Sequence, residues 1–476
     1  MKLVLTSVGA FVLQLAVWAG TDRSGDDLLF DEIAQRWLKR NEIQQPRGWR
    51  ELLEQRFAHL ALGVFDVYLP QAAVRDGKAW KDTSTALVAL LEAQAGWTAW
   101  VRGTPPHKSK DDPLARWLRG LSAKSFGGDG LAGADLAGLA AGSEVRTLLD
   151  QYRSAQRSGA ALGVEHELAG VPLVLFPRRA EFVEFTCVAG ALDSSLRPQA
   201  WNEGVTTWLE FQAFETRFLT LEYAASEENR DFERGVSVSE RNPGALSQLV
   251  SQVATRAMLA RVYADGLDPA LGSGMANALV IDLYGELDTR IDGDVRSRSS
   301  QGSSIFVPGG NSEGGALPAS SAENRWRGTK GKDHFVGILA QVQKQSSKKR
   351  VSFSGRVTRF ELVSDDGSSK ALLSAPFLGP SAAKPEREFL PDYLELVRCY
   401  GVAFLHWLRL AGAGTPEESA QRFGALLRAL GRVAKADLPR VLEELYGQPL
   451  SAPGAEELFA APTLEGRFLA WISKQS

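Results

Sequence analysis

The chain has 476 residues, 44% of them hydrophobic and 23% charged, with a formal net charge of -3. That length leaves room for two or three domains and a large core, and the composition is that of a soluble globular protein. Positive and negative charge nearly balance, which gives no electrostatic case for a nucleic-acid partner or an anionic membrane surface.

Met1 to Gly20 carries one Lys followed by an apolar run from Leu3 to Ala19, interrupted only by Thr6, Ser7, Gly9 and Gln14. The run closes on Val17-Trp18-Ala19, a small-residue cleavage pattern, and residues 1–19 read as a secretory signal peptide. The expected location is therefore secreted or periplasmic; anchoring to the membrane by an uncleaved N-terminal segment is the alternative. No later stretch is long and apolar enough to span a membrane. Two cysteines, Cys187 and Cys399, build no disulfide scaffold; a bond between them and a pair of buried thiols both remain open.

Asp26 to Gln156 reads as helical, with apolar residues at three and four spacing in Asp31–Leu38, Trp49–Tyr68, Trp80–Val101 and Val145–Tyr152. Gly127 to Gly142 is a Gly- and Ala-rich connection. This gives an N-terminal helical region over residues 20–160, whose Trp residues (Trp37, Trp49, Trp80, Trp97, Trp100, Trp117) suit a core or interface, with a carbohydrate-stacking groove as the alternative. His166-Glu167-Leu168-Ala169-Gly170 has Gly where a second His would complete a metal-binding HExxH. It leads directly into Val171–Phe176, a strand pattern, so no helix continues to present ligands. Within Trp201-Asn202-Glu203-Gly204-Val205, Glu203 is a further candidate carboxylate; complementing a helix N-terminus is its plainer role.

From Asn242 to Leu287 the helix signals are unusually complete. Asn242 is an N-cap with Pro243 at the first helical position, and Leu246, Leu249, Val250, Val253, Ala257 and Ala260 recur at helical spacing. Gly266 is the stop, Asp268-Pro269 restarts, and Ala276, Leu279, Val280, Ile281 and Leu283 carry a second, very apolar helix. This helix–corner–helix layout resembles the active-site pair of the gluzincin, or peptidase-MA-like, zinc peptidases of secreted bacterial proteins. The resemblance implies a zinc held by two His at i and i+4 on the first helix, a Glu base between them, and a third ligand, Glu, before Gly-Leu-Ala on the second. The corresponding residues here are Gln252-Val253-Ala254-Thr255-Arg256 and Gly272-Ser273-Gly274-Met275-Ala276. Gln252 offers only a neutral carbonyl, Val253 accepts no proton, Arg256 sets a permanent positive charge where the cation would sit, and Ser273 is a poor zinc ligand. The implied site holds no metal. The motif around Glu203 resembles the family's Trp-x-x-Glu-Gly-Leu-Ala but precedes the first helix, which is the wrong order.

Beyond the pair, Glu286, Asp288, Asp292 and Asp294 read as a solvated acidic turn, their spacing not being that of an EF-hand loop. Residues 297–324 are a long Ser- and Gly-rich loop, Trp326–Lys344 is helical and carries Asp333-His334, and Val351–Val363, Asp365-Asp366-Gly367 and Lys370–Leu373 form a β-hairpin. Helices resume at Tyr393–Leu410, after the capping box Thr415-Pro416-Glu417-Glu418, and at Leu438–Tyr446 and Leu464–Ile472. His406 on the first of these reads as a packed core histidine.

The expected fold class is α+β, mainly α: a gluzincin-like core with a small mixed β-sheet over residues 161–390, flanked by the N-terminal helices and a C-terminal helical region over 391–476. The expected function is that of an exported pseudoenzyme, without cofactor, binding a peptide or protein partner in a relict cleft around Gln252, Val253, Arg256 and Ser273. A hydrolase with an unassigned non-zinc site and a structural envelope protein are the alternatives.

Overall fold

The structure, a computed structural model, describes residues 48–70, 76–106, 112–121, 144–192, 208–211, 216–221, 243–263, 269–285, 402–432, 438–449 and 463–474, with Ala73, Val74 and several positions from 32 to 46. Helix α1 (Trp49–Arg56) stops where one long helix to Tyr68 was expected, and the chain turns instead into an antiparallel hairpin of β1 (Phe57–Leu62) and β2 (Phe65–Pro70). The reason is in the spacing. Ala58, Leu60 and Leu62, and Phe65, Val67 and Leu69, also satisfy a two-residue period, and Gly63 supplies the positive φ of +59° that a tight turn needs.

The hairpin belongs to a five-stranded mixed sheet completed by β3 (Val171–Phe176), β4 (Trp208–Phe211) and β5 (Thr216–Thr220), in the order β1-β2-β3-β5-β4. The three inner strands run parallel, Val67 opposite Leu173 and Leu173 opposite Arg217, while β1 and β4 pair antiparallel at the two sides. Alternate residues face opposite layers. Phe57, Val174 and Phe176 pack with Phe182, Phe185 and Val188 of α5, whereas Ala58, Leu60, Leu62, Leu173 and Leu175 face the main core. A sheet covered on both faces explains why β3 is apolar along nearly its whole length.

The other helices are α2 (Gly77–Val101), α3 (Pro113–Gly120), α4 (Glu144–Arg157), α5 (Arg179–Leu192), α6 (Pro243–Val262), α7 (Pro269–Tyr284), α8 (Pro416–Leu430), α9 (Leu438–Tyr446) and α10 (Leu464–Ser473), with residues 402–410 also helical. The described residues are thus mainly helical with a small mixed sheet, and the central pair, the Val171 strand and the described parts of the C-terminal helices fall where the spacing predicts. Thr415 caps α8 by accepting from the Glu418 N–H at 3.1 Å. Helix α2 lies at the centre, against α3, α6, α7 and α8. Its Asp76 cap accepts from the Lys78 N–H, and its buried Trp97 donates to the Leu162 carbonyl at 3.2 Å. Main-core residues run from Ala58 to Phe468, so all three chain regions contribute to one apolar cluster. Among the described residues no helix is long and apolar enough to cross a membrane. The expected leader, the stretch 286–401 in which an acidic turn, a long loop, a helix with Asp333-His334 and a hairpin are expected, Cys399 within that stretch, and the side chain of Cys187 lie outside the described residues.

Candidate functional site

Helix α7 folds back along α6 after a short connection, and two side-chain hydrogen bonds fix their register. Ser251 meets the Tyr284 hydroxyl at 2.9 Å, and the Gln252 amide donates to Asn277 Oδ1 at 2.5 Å. Gln252 is 3% exposed, Asn277 0% and Val253 1%, which makes this amide pair a polar bridge sealed inside an apolar interface. Arg256 follows one turn after Gln252 and is half-buried. The Ser273 side chain and Glu203 are outside the described residues. Among the described residues no three of His, Cys, Asp and Glu gather to hold a metal ion.

Near the C-terminal end of α7 lie two polar networks. In one, the Tyr284 hydroxyl donates to Glu92 Oε2 at 2.8 Å, and Ser251 shares its single proton between the Tyr284 oxygen and the Ala89 carbonyl at 3.1 Å. Burial pushes the Tyr284 phenol above its ordinary value. Ser251 is fully buried, the position of a packing hydroxyl rather than of a nucleophile open to substrate.

The second network centres on Asp282. Trp100 Nε1–H donates to its Oδ2 at 2.9 Å, Arg409 donates to Oδ1, and His406 Nδ1 stands 3.9 Å from Oδ1. The guanidinium of Arg409 lies 5.8 Å from the Trp100 ring centroid. Both charged side chains are 7% exposed. Burial pushes the Asp282 carboxyl up to about 6 against the opposing pull of Arg409 and Trp100, and burial likewise lowers Arg409 from its ordinary value. His406, read as a packed core histidine, is indeed buried at 7% exposure.

A third cluster sits on the hairpin. Asp66 accepts from Arg157 at 2.7 Å and meets His59 Nε2 at 3.1 Å, and the His59 ring stacks on Tyr68. Burial pulls Asp66 upward, but the His59 hydrogen bond and Arg157 outweigh it and hold the carboxyl below its usual value. Gly170 makes this possible, since a Cβ there would stand 1.7 Å from Asp66 Oδ2. His166-Glu167, four residues earlier, lies in an irregular stretch rather than a helix.

Of these groups, the sequence reading passed over Asp282, Arg409 and the Gln252–Asn277 bond. One signal for Asp282 was available: a lone carboxylate inside Leu279-Val280-Ile281-Asp282-Leu283, which a buried helix tolerates only with partners. No family model, no curated protein and no solved structure matches the chain. The likeness to gluzincin peptidases therefore rests on helix layout and the Gly-Met-Ala of α7.

Proposed function

We propose that the chain is an exported, non-catalytic, peptidase-like protein that binds a peptide or protein partner beside the α6–α7 pair. The observation that carries this reading is the Gln252–Asn277 bond. At the place where the resemblance calls for a first zinc ligand, the side chain is committed to a buried amide bridge, and the next residue, Val253, packs into the core. One turn on, Arg256 repels a metal cation and suits an anionic group such as a peptide carboxylate.

The test is twofold. The purified protein should carry far less than one zinc per chain and leave casein intact. It should bind members of a labelled acidic-peptide library, with Arg256→Glu abolishing the binding and Arg256→Lys retaining part of it. Stoichiometric zinc, chelator-sensitive cleavage, or peptide binding that Arg256→Glu leaves unchanged would overturn the reading.

A further inference from the structure

Every residue from Val402 to Arg409 is buried, and Val402, Ala403, Phe404, Leu405, Trp407 and Leu408 are each 2% exposed or less. A helix wrapped in this way has apolar side chains on all sides, so no solvent-facing stripe fixes its rotation or its place along its axis. The charged pair supplies that information. Arg409 donates to Asp282 Oδ1 while its guanidinium lies 5.8 Å from the Trp100 ring centroid, and Trp100 Nε1–H donates to Oδ2 at 2.9 Å. Three segments remote in sequence are thereby tied at one point. His406 Nδ1, at 3.9 Å from Oδ1, stands beyond hydrogen-bond reach of it.

We propose that the Asp282–Arg409 pair is a register lock, selecting the one docking of residues 402–410 on α2 and α7 in which the two buried charges meet. A rotation by one residue, roughly 100°, swings the guanidinium away from Oδ1 and off the Trp100 ring. A slip of one turn puts Leu405 in its place. Either change leaves two charges, each 7% exposed, inside an apolar core without their partner, which a different set of apolar contacts does not offset. Attachment itself comes from those apolar contacts, among them Phe404 and Trp407 against Phe468 of α10. Apolar residues in place of both charges should therefore hold the segment as firmly as the pair does, because a buried ion pair repays little beyond its own desolvation, and should lose only the choice among dockings. Nothing in the lock depends on peptide binding beside Arg256, and either reading can fail alone.

Fluorine NMR of the full chain labelled with 5-fluorotryptophan tests it at neutral pH, with the Trp407 line assigned by Trp407→Phe. Wild type should give one Trp407 line. The double variant Asp282→Leu/Arg409→Met should unfold in urea at or above the wild-type midpoint, yet give two or more Trp407 lines, or one broadened by exchange between dockings. Arg409→Lys keeps the charge and should keep a single sharp line. A single sharp Trp407 line in the double variant overturns the lock. So does a double variant that fails to fold or has a lowered midpoint, since the pair would then be holding the segment down rather than choosing its register. Splitting in Arg409→Lys as well would trace the effect to lost packing, and equally overturns the proposal.

Discussion

Gly63 and Gln94 show how far one position can depend on another. The Gln94 amide accepts from the Val64 N–H and donates to the Leu62 carbonyl, both at 3.1 Å, closing the hairpin turn from α2. A Cβ on residue 63 would stand 2.0 Å from Gln94 Oε1, on a backbone already in the left-handed region. Gly63→Ala should therefore cost both strain and the clamp, and Gln94→Leu should strand two buried backbone groups at about 1–3 kcal/mol each. Thermal unfolding of the two variants measures this, and the double variant should cost less than the sum of the singles. The requirement for Gly at 63 and at 170 was not legible beforehand. Each depends on a side chain from another element, Gln94 in one case and Asp66 in the other.

At the scale of elements, the α6–α7 bridge makes a sharper prediction. Removing one partner, by Gln252→Leu or Asn277→Leu, breaks a buried amide–amide hydrogen bond and should destabilise the fold by about 1–3 kcal/mol. Replacing both with Leu should cost less than the sum of the two single changes, because the bond between them is counted once, and a double-mutant cycle in urea reports the coupling. A cycle with no coupling would mean that the amide bond is incidental to the pairing. These two helices were legible from Pro243, Pro269 and their apolar spacing because helix signals are local. The β1–β2 hairpin was not, because Phe57 to Leu62 fits a helical period as readily as an alternating one, and its partner strand β3 lies about a hundred residues away. Candidate-site residues on α6 were placed correctly on their helix, yet the contacts of Gln252 with Asn277 and of Asp282 with Arg409 are tertiary, and no spacing rule announces them.

For the whole molecule, two carboxylates set opposing pH responses. Asp66 titrates lower in the folded protein than its ordinary 3.8, so its stabilisation is present above that value and is lost as pH falls through the folded value. Asp282 titrates higher, at about 6, so its contribution is complete below 3.8 and is lost as pH rises through 6, by about 3 kcal/mol at most. From these two groups stability should peak on the acid side of neutrality. Urea unfolding across pH should lose its decline between about pH 4 and pH 6 in Asp282→Asn, and part of its acid-side decline in Asp66→Asn. A wild-type profile that climbs steadily to pH 7 would contradict the assignment of Asp282.

The single core has a consequence in time. Its members run from Ala58 to Phe468, and Asp282 finds Arg409 only after 127 further residues. Closing a loop of that length costs about 4 kcal/mol of chain entropy before any contact returns it. Trp97 and Trp100, fully wrapped in the finished protein, must wait in the growing chain until the helices from residue 402 onward have been made. Folding should accordingly be slow, completed only once residues as late as Phe468 have emerged, and the α2 segment is where a holding chaperone would find its apolar target.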